Sequence, residues 1–411
     1  MSGKTVLISG AGIAGPTLAY WLKRGGFEPT LVERAPALRS GGYVIDFWGL
    51  GYDIAERMGV IGEVNRVGYH MREMRIVGER GQHLAGFGAD VFRELTGGRY
   101  VSLARSDLAR LLFEAARDST EVIFGNEIVD LRETDDGIEA QLKDGTRRFD
   151  LVIGADGLHS AVRELTFGPQ SRFEKHLGYG VAAFQADGYR PRDEDIYVMY
   201  GQPGRMVGRF SLHDDRTLFL FVFTADGAGH PATSERQKAM LRARFGDDGW
   251  ECPYILDALE RSDDLYFDRV SQIRMDNWSK GRVALVGDAA FCVSLLAGQG
   301  SALAMIAAYV LAGELAKADG DHEQAFARYE SFLRGFIEGK QRGAQRFAGA
   351  FAPRTSAGLW FRNQMIKAFS IPGLARFAVG RDITDSLSLP KYRWPSSPDA
   401  AASLSRRGDR A

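Results

Sequence analysis

Three observations predict an α/β protein with a second domain. A strand, a glycine turn and a helix open the chain, and a buried strand pattern of the same kind returns near residue 283. Between them lies a long stretch of short strand-like runs separated by turn residues. The first two describe a Rossmann-type nucleotide domain that the chain leaves and rejoins. The third describes an antiparallel sheet, and helical material closes the chain.

In order, TVLISGAGIAG and PTLAYWLKRGG read as strand, turn and helix, and FEPTLVER supplies the second strand of a βαβ unit. Residues 106–117 carry Leu108, Leu111, Leu112 and Ala115 at helical spacing. EVIFGNEIVDLRE, GIEAQLKDG and RRFDLVIGADG follow as strands with Asp-Gly turns. From about 178 to 273 the runs GYGVAAFQAD, DIYVMYG, RMVGRFSLH and RTLFLFVFTAD predict the second sheet, with residues 234–259 mainly helical. RVALVGDAA is again a buried parallel-strand pattern, and helices are expected over 301–317 and 321–336. Beyond Pro353 come Phe361, Met365, Phe369 and Phe377 on helical material, then a small, polar end. The expected division is 1–70, 100–175 and 274–345 for the nucleotide domain and 71–99 with 176–273 for a substrate-binding domain. C-terminal helices over 346–390 and a disordered tail over 391–411 complete it.

At 411 residues the chain exceeds the size at which one core keeps growing, and 45% hydrophobic with 26% charged residues is ordinary globular composition. The 52 basic residues against 53 acidic ones provide no field for nucleic acid or an anionic membrane, so a small-molecule substrate is the expected partner, with the chain a monomer or homodimer. Cys252 and Cys292 cannot form a disulfide framework, and TVLIS is too short for a secretory segment, so a cytoplasmic location is expected. The apolar stretch 293–316 contains Gly298, Gln299, Gly300 and Glu314, and reads as a loop and a buried helix rather than a membrane span. The seven histidines lack metal-ligand spacing, so no metal is expected, and no GxSxG supports a hydrolase.

GAGIAG places Gly10, Gly12 and Gly15 in GxGxxG register, with Ala14 in the turn. The first glycine permits the tight turn, the second lets backbone approach a pyrophosphate, and the third lets helix and strand pack closely. Glu33 ends the second strand, where an acid can accept hydrogen bonds from ribose hydroxyls. Arg34 reads equally as a surface charge or an adenosine contact. A second signal, DLVIGADGLHSAVR, presents Asp156 and Gly157 and also fits a common strand, turn and helix cap. The third is GRVALVGDAAFCVSLLAGQGSALAM, in which a strand delivers Asp288 and Gly298-Gln299-Gly300 opens a long apolar helix. Such a carboxylate can bind sugar-alcohol hydroxyls, and the helix start offers positive potential to an electron-rich ring.

These three signals, in this order, resemble the aromatic-hydroxylase group of single-component FAD monooxygenases, with the para-hydroxybenzoate hydroxylase fold, up to about residue 345. GAGIAG with Glu33 and Arg34 is similar to the group's FAD-ADP motif, Asp156-Gly157 with Arg163 to its DG motif, and Gly287-Asp288 with Gly298-Gln299-Gly300 to its GD motif. Arg105, in LARSDLARLL, falls where the group places an arginine on FAD. Within the group, GPTLAYWLKRGGF, RSGGYVID, LARSDL and VLAGELAKADGD look most like the tetracycline-inactivating monooxygenases, the tetracycline destructases. The resemblance implies Asp46 near the flavin and Arg39 for the nicotinamide cofactor. It also implies a cycle in which NADPH or NADH reduces FAD, O2 yields a flavin C4a-hydroperoxide, and an electron-rich phenol or enol takes up one oxygen. A flavin oxidase or reductase, a Baeyer-Villiger enzyme and a ligand-sequestering flavoprotein remain open on the same scaffold. The chain departs from the group's pattern at Phe291 and Leu295, where histidine and proline are usual. Phe184, Tyr197, Tyr200, Phe210, Phe219, Phe221 and Phe223 are expected in a sheet core.

Overall fold

The computed structural model describes residues 3–39, 43–225, 231–369, 371, 385 and 387–395. Its first layer is a six-stranded sheet in the order Ser279–Lys280, Val283–Leu285, Leu151–Gly154, Thr5–Ser9, Glu28–Glu33, Glu121–Phe124. Every junction is parallel except that between Ser279–Lys280 and Val283–Leu285. Val6, Leu7 and Ile8 are wholly buried, because helices cover both faces of a parallel sheet and its strands need no polar side. Helix Ala14–Arg24 packs against Gly300–Lys317 and Arg105–Arg117. An antiparallel meander, Ile128–Thr134, Gly137–Leu142 and Gly145–Phe149, adjoins it.

The second sheet has seven strands, in the order Leu265–Ile273, Glu174–Asp187, Arg216–Thr224, Arg205–Ser211, Ile196–Gln202, Glu73–Val77, His83–Gly88. The antiparallel pairing expected of it holds at every junction but one, since Ile196–Gln202 runs parallel to Glu73–Val77. That hairpin enters the sheet from an earlier excursion of the chain. Side chains alternate between the faces, as a pleated strand requires. Phe184, Tyr200, Phe219, Phe221 and Phe223 form one core with Leu241, Phe245, Ile255 and Leu259 of helices Ser234–Phe245 and Cys252–Glu260. The stretch 234–259, expected to be mainly helical, is made of these two helices, separated at 246–251, with Trp250 at φ +55. Tyr197 and Phe210 point the other way and meet Tyr43, Val44 and Tyr69 of the nucleotide domain.

Helix Gly300–Lys317 is long and apolar enough to cross a bilayer by length and composition, yet its residues from Leu303 to Leu315 are buried within the protein. It packs against Ala14–Arg24, Leu50–Met58 and His322–Phe351. The last of these outruns the helix expected over 321–336, and the boundary at 345 falls inside it. Asp321 caps it, accepting the Gln324 N–H at 3.2 Å. One further helix, Ser356–Ala368, is described in the C-terminal region. Residues 391–395, the first part of the tail expected over 391–411, are among those described. Trp394 is buried against Trp21, with ring centroids 4.8 Å apart, so aromatic packing overrides the polar composition around it. Phe377 and residues 396–411 lie outside the described residues.

Candidate active site

The three glycines of the first turn meet three different surroundings. Gly10 has φ +104, and a Cβ there would stand 2.7 Å from the Ala155 carbonyl and 2.9 Å from Asp156 Cα. A Cβ at Gly15 would overlap the Gly10 carbonyl. At Gly12 the added atom would meet, among the described residues, only Arg105 Nη2 at 3.6 Å. Among the described residues the space before helix Ala14–Arg24 is therefore open, and its N-cap residue Ile13 makes no side-chain cap hydrogen bond. An open, glycine-lined helix start of this kind has the shape and the backbone N–H groups to accept a pyrophosphate. Glu33, half-buried, accepts the N–H groups of Ala11 and Ala35, both at 2.9 Å, which holds its carboxylate beside the turn.

The three motifs converge. Gly10 packs on the Ala155–Asp156 backbone, and Ala14 and Ala304 lie 3.4 and 3.3 Å from the position a Cβ would take on Gly287. Asp156 accepts the Ser160 hydroxyl at 2.5 Å and the Val162 N–H at 3.2 Å, and burial pushes its carboxyl up. Ser160 also accepts the Arg163 N–H at 3.0 Å, so the segment is both a helix cap and a carboxylate holder. Gly157, at φ +80, makes the turn between them. Arg163 is fully buried and donates to the carbonyls of Leu158 at 2.7 Å and Ala289 at 3.0 Å, tying the second motif to the third. Burial lowers the pKa of that guanidinium.

Asp288 follows Gly287, whose φ of +66 turns the chain at the end of Val283–Leu285. Burial pushes the Asp288 carboxyl up, against the pull of Arg105 and of the Cys292 thiol. Burial and the Asp288 charge push that thiol up in turn, which makes it a packed neutral group rather than a nucleophile. A Cβ at Gly300 would lie 3.8 Å from Asp288 Oδ1, and one at Gly298 would lie 3.8 Å from the Trp48 ring. Gln299 sits at the start of helix Gly300–Lys317 without a side-chain cap. Where the group's proline is replaced by Leu295, the turn is held instead by Ser294, whose hydroxyl accepts the Leu296 N–H at 3.2 Å. Phe291 fills its position with apolar packing, 4.6 Å from the Trp278 ring.

Arg105 opens helix Arg105–Arg117, donates its backbone N–H to Tyr43 at 3.0 Å and turns its side chain inward toward Gly12. Asp46 lies on Val44–Trp48, paired antiparallel with Tyr100–Ala104, and its Oδ1 accepts the Tyr100 and Ser102 hydroxyls, each at 2.6 Å. Burial raises its carboxyl too. Asp46, Trp48, Gly298, Gln299, Ala302, Leu303, Ile306 and Asp385 line one narrow cleft. Arg34 and Arg39 are exposed and outside this grouping, and 40–42 lie outside the described residues. A larger cavity of about 480 Å³ lies at the edge of the sheet, between Ser279–Lys280 and helix His322–Phe351, and none of the motif residues lines it. Among the described residues no group of three His, Cys, Asp or Glu side chains could hold a metal ion.

Of the phenols between the two sheets, sequence reasoning named Tyr197, as a core residue, and not Tyr43, Tyr100 or Tyr266. Tyr43 and Tyr266 face each other with centroids 5.8 Å apart, Tyr197 stacks on Phe210 at 5.1 Å, and Tyr100 lies 6.3 Å from Trp48. Burial raises the pKa of all four tyrosines. They come from four separate strands or loops, so no local spacing marks them; the alternation within each strand is the one signal each carried.

Residues 4–331 match the family described as FAD binding domain. The chain is 40% identical over 346 residues to an uncharacterized protein of Mycobacterium tuberculosis, covering 82% of this chain and 92% of that one. It is 33% identical over 401 residues to a flavin-dependent monooxygenase of Legionella longbeachae, covering 94% and 98%. Among solved structures, tetracycline destructase Tet(51) matches with a TM-score of 0.80 and 34% identity, over 95% of this chain and all of the other.

Proposed function

The chain belongs to the FAD-binding-domain family and is an FAD-dependent monooxygenase, and from that premise we propose that it hydroxylates an electron-rich aromatic or polyketide-like molecule with electrons from NADPH or NADH and oxygen from O2. The observation that carries this reading is the convergence of the three motifs on one end of the nucleotide sheet, directly under the phenol-lined face of the second sheet. Bound FAD supplies the electron transfer and the activation of oxygen.

The chain's own residues bind, orient and exclude water. The open start of helix Ala14–Arg24 would hold the pyrophosphate, Glu33 the ribose, and Asp288 the sugar-alcohol chain. The start of Gly300–Lys317, whose N-cap Gln299 makes no side-chain cap, would lie beside the ring, and Arg105, beside Gly12, acts on Asp288 through its charge. Tyr197, Phe210, Leu218 and Tyr266 pack in one apolar cluster facing the nucleotide domain, and would offer an apolar surface with polar tips to a flat polycyclic substrate carrying hydroxyls. Arg39 is the cation proposed for the nicotinamide cofactor. The likeness to Tet(51) makes tetracyclines the first compounds to try. Purified protein is expected to oxidise NADPH faster with at least one of a panel of tetracyclines, anthraquinones and simple phenols. Under labelled dioxygen the product should gain one labelled oxygen atom. Stimulated NADPH oxidation without labelled product would replace this reading with that of an oxidase.

A further inference from the structure

Residues 387–395 lie beyond those matched to the family, yet they strap across the nucleotide domain. The Tyr392 ring lies against Gly313, where a Cβ would overlap it, and its hydroxyl donates to Glu314 at 2.8 Å. The Pro390 carbonyl accepts from Tyr309 at 2.8 Å and from Arg57 at 3.1 Å. Helices Leu50–Met58 and Gly300–Lys317, the two elements that begin at the narrow cleft, are thus tied together by one segment.

Asp385, ahead of this strap, reaches the cleft itself. Its Oδ2 accepts the Leu50 N–H at 2.9 Å, and its Oδ1 lies 2.9 Å from Lys340 Nζ, both side chains being only 11% exposed. Leu50 begins its helix after Gly49, which has φ +66 and no side chain to act as a cap. Asp385 therefore supplies from a distant part of the chain the carboxylate that a local Asp or Ser supplies elsewhere. A Cβ at Gly49 would overlap Asp385 Oδ2, so the approach is close. Trp48, whose ring stands beside Gly298, is the next residue back.

We propose that Asp385 is a positioning residue for the ring end of the flavin site: by capping Leu50 and pairing with Lys340 it fixes Trp48 against the Gly298–Gly300 turn. The inference rests on the FAD reading and adds to it a determinant outside the family's matched region. Its test compares purified holoprotein of the natural sequence with Asp385→Ala, Asp385→Asn and Lys340→Met. The readouts are FAD dissociation from titrated apoprotein, the visible circular dichroism of the bound flavin, and product formed per NADPH consumed. Asp385→Ala should weaken FAD binding about tenfold, change the visible dichroism and lower the product yield per NADPH. Asp385→Asn, which keeps an acceptor for Leu50 but not the charge, should fall between, with Lys340→Met beside it. Leu333→Ala, a core truncation in helix His322–Phe351, controls for lost stability and should leave the dichroism unchanged. Natural affinity and dichroism in both Asp385→Asn and Lys340→Met, or the same spectral change in Leu333→Ala, would overturn the proposal. Asp385→Asn and Lys340→Met carry the test if Asp385→Ala does not fold. Failure of the natural sequence to take up FAD overturns the FAD reading and this proposal together, whereas uptake unchanged by every variant overturns this proposal alone.

Discussion

Gly10 and Gly12 stand two residues apart, yet a methyl group would do opposite things at them. At Gly10 it would press on the Ala155–Asp156 backbone from a φ of +104, which L side chains rarely adopt. Gly10→Ala should therefore destabilise the apoprotein by about 2–5 kcal/mol, the sum of backbone strain and overpacking. At Gly12 the same methyl meets ordinary contact distance and no positive φ. Gly12→Ala should leave apoprotein stability within about 1 kcal/mol and still abolish tight FAD binding, because it fills the space a pyrophosphate needs. Denaturant melts of both apoproteins, set beside FAD titrations, check this. Equal stability losses at the two sites would show that the turn's role is structural alone. The glycine spacing was legible in the sequence because a turn, a close approach and a helix contact each exclude a side chain at a fixed offset. Asp156 and Asp288 were legible for a related reason, each following a short buried strand. Asp385 was not, because its partners Leu50 and Lys340 are joined to it only by the fold.

At the scale of elements, the strand Arg216–Thr224 divides its side chains between two tasks. Phe219, Phe221 and Phe223 sit under the two covering helices, while Leu218, Leu220 and Val222 face the nucleotide domain. The period-2 alternation was plain in the sequence, but which face meets the covering helices and which meets the nucleotide domain depends on what packs there. Phe221 is wholly buried, its ring 4.8 Å from Phe245. Phe221→Ala should cost about 3–5 kcal/mol of stability while holoprotein that still folds keeps its flavin dichroism. Tyr197→Phe, on the opposite face, should change stability by less than about 1 kcal/mol and shift KM for the organic substrate about 2- to 10-fold, with FAD affinity unchanged. Chemical denaturation and steady-state kinetics separate the two effects. A change in FAD affinity in Tyr197→Phe would place that phenol on the cofactor instead. The break between the two helices was harder to read, since it includes Trp250 at φ +55 within a stretch whose sequence pattern is mainly helical.

Across the whole molecule, the two domains meet at a charged pair that neither local sequence advertises. His159, just after the Asp156-Gly157 turn, places Nε2 at 3.1 Å from Asp268 Oδ2 on the second sheet and Nδ1 at 3.2 Å from Gln170 Oε1. That Gln170 oxygen is an acceptor, because it also takes a hydrogen bond from Arg163 at 3.1 Å while its nitrogen donates to Glu174. Both ring nitrogens of His159 therefore face acceptors, and only the imidazolium carries two N–H donors. The hydrogen bond to Asp268 accordingly raises the His159 pKa, reinforced by the Asp268 charge and by Glu174, against the opposing effect of burial. A histidine whose folded pKa lies above its unfolded value contributes stability that is complete below the unfolded pKa, near 6.5, and is lost as pH rises through the folded one. Because the His159 side chain is 54% exposed, solvent screening holds that contribution below about 1 kcal/mol. His159→Gln should thus lower Tm by about 1–2 °C at pH 6, and the gap to the natural sequence should narrow as pH rises above the unfolded pKa and through the raised folded one, where His159 comes to donate from one nitrogen only. Thermal melts of the two proteins across that range decide it. A gap of constant size would mean that the contact is a neutral hydrogen bond, and that the approach of the second sheet to the nucleotide domain does not depend on charge at His159.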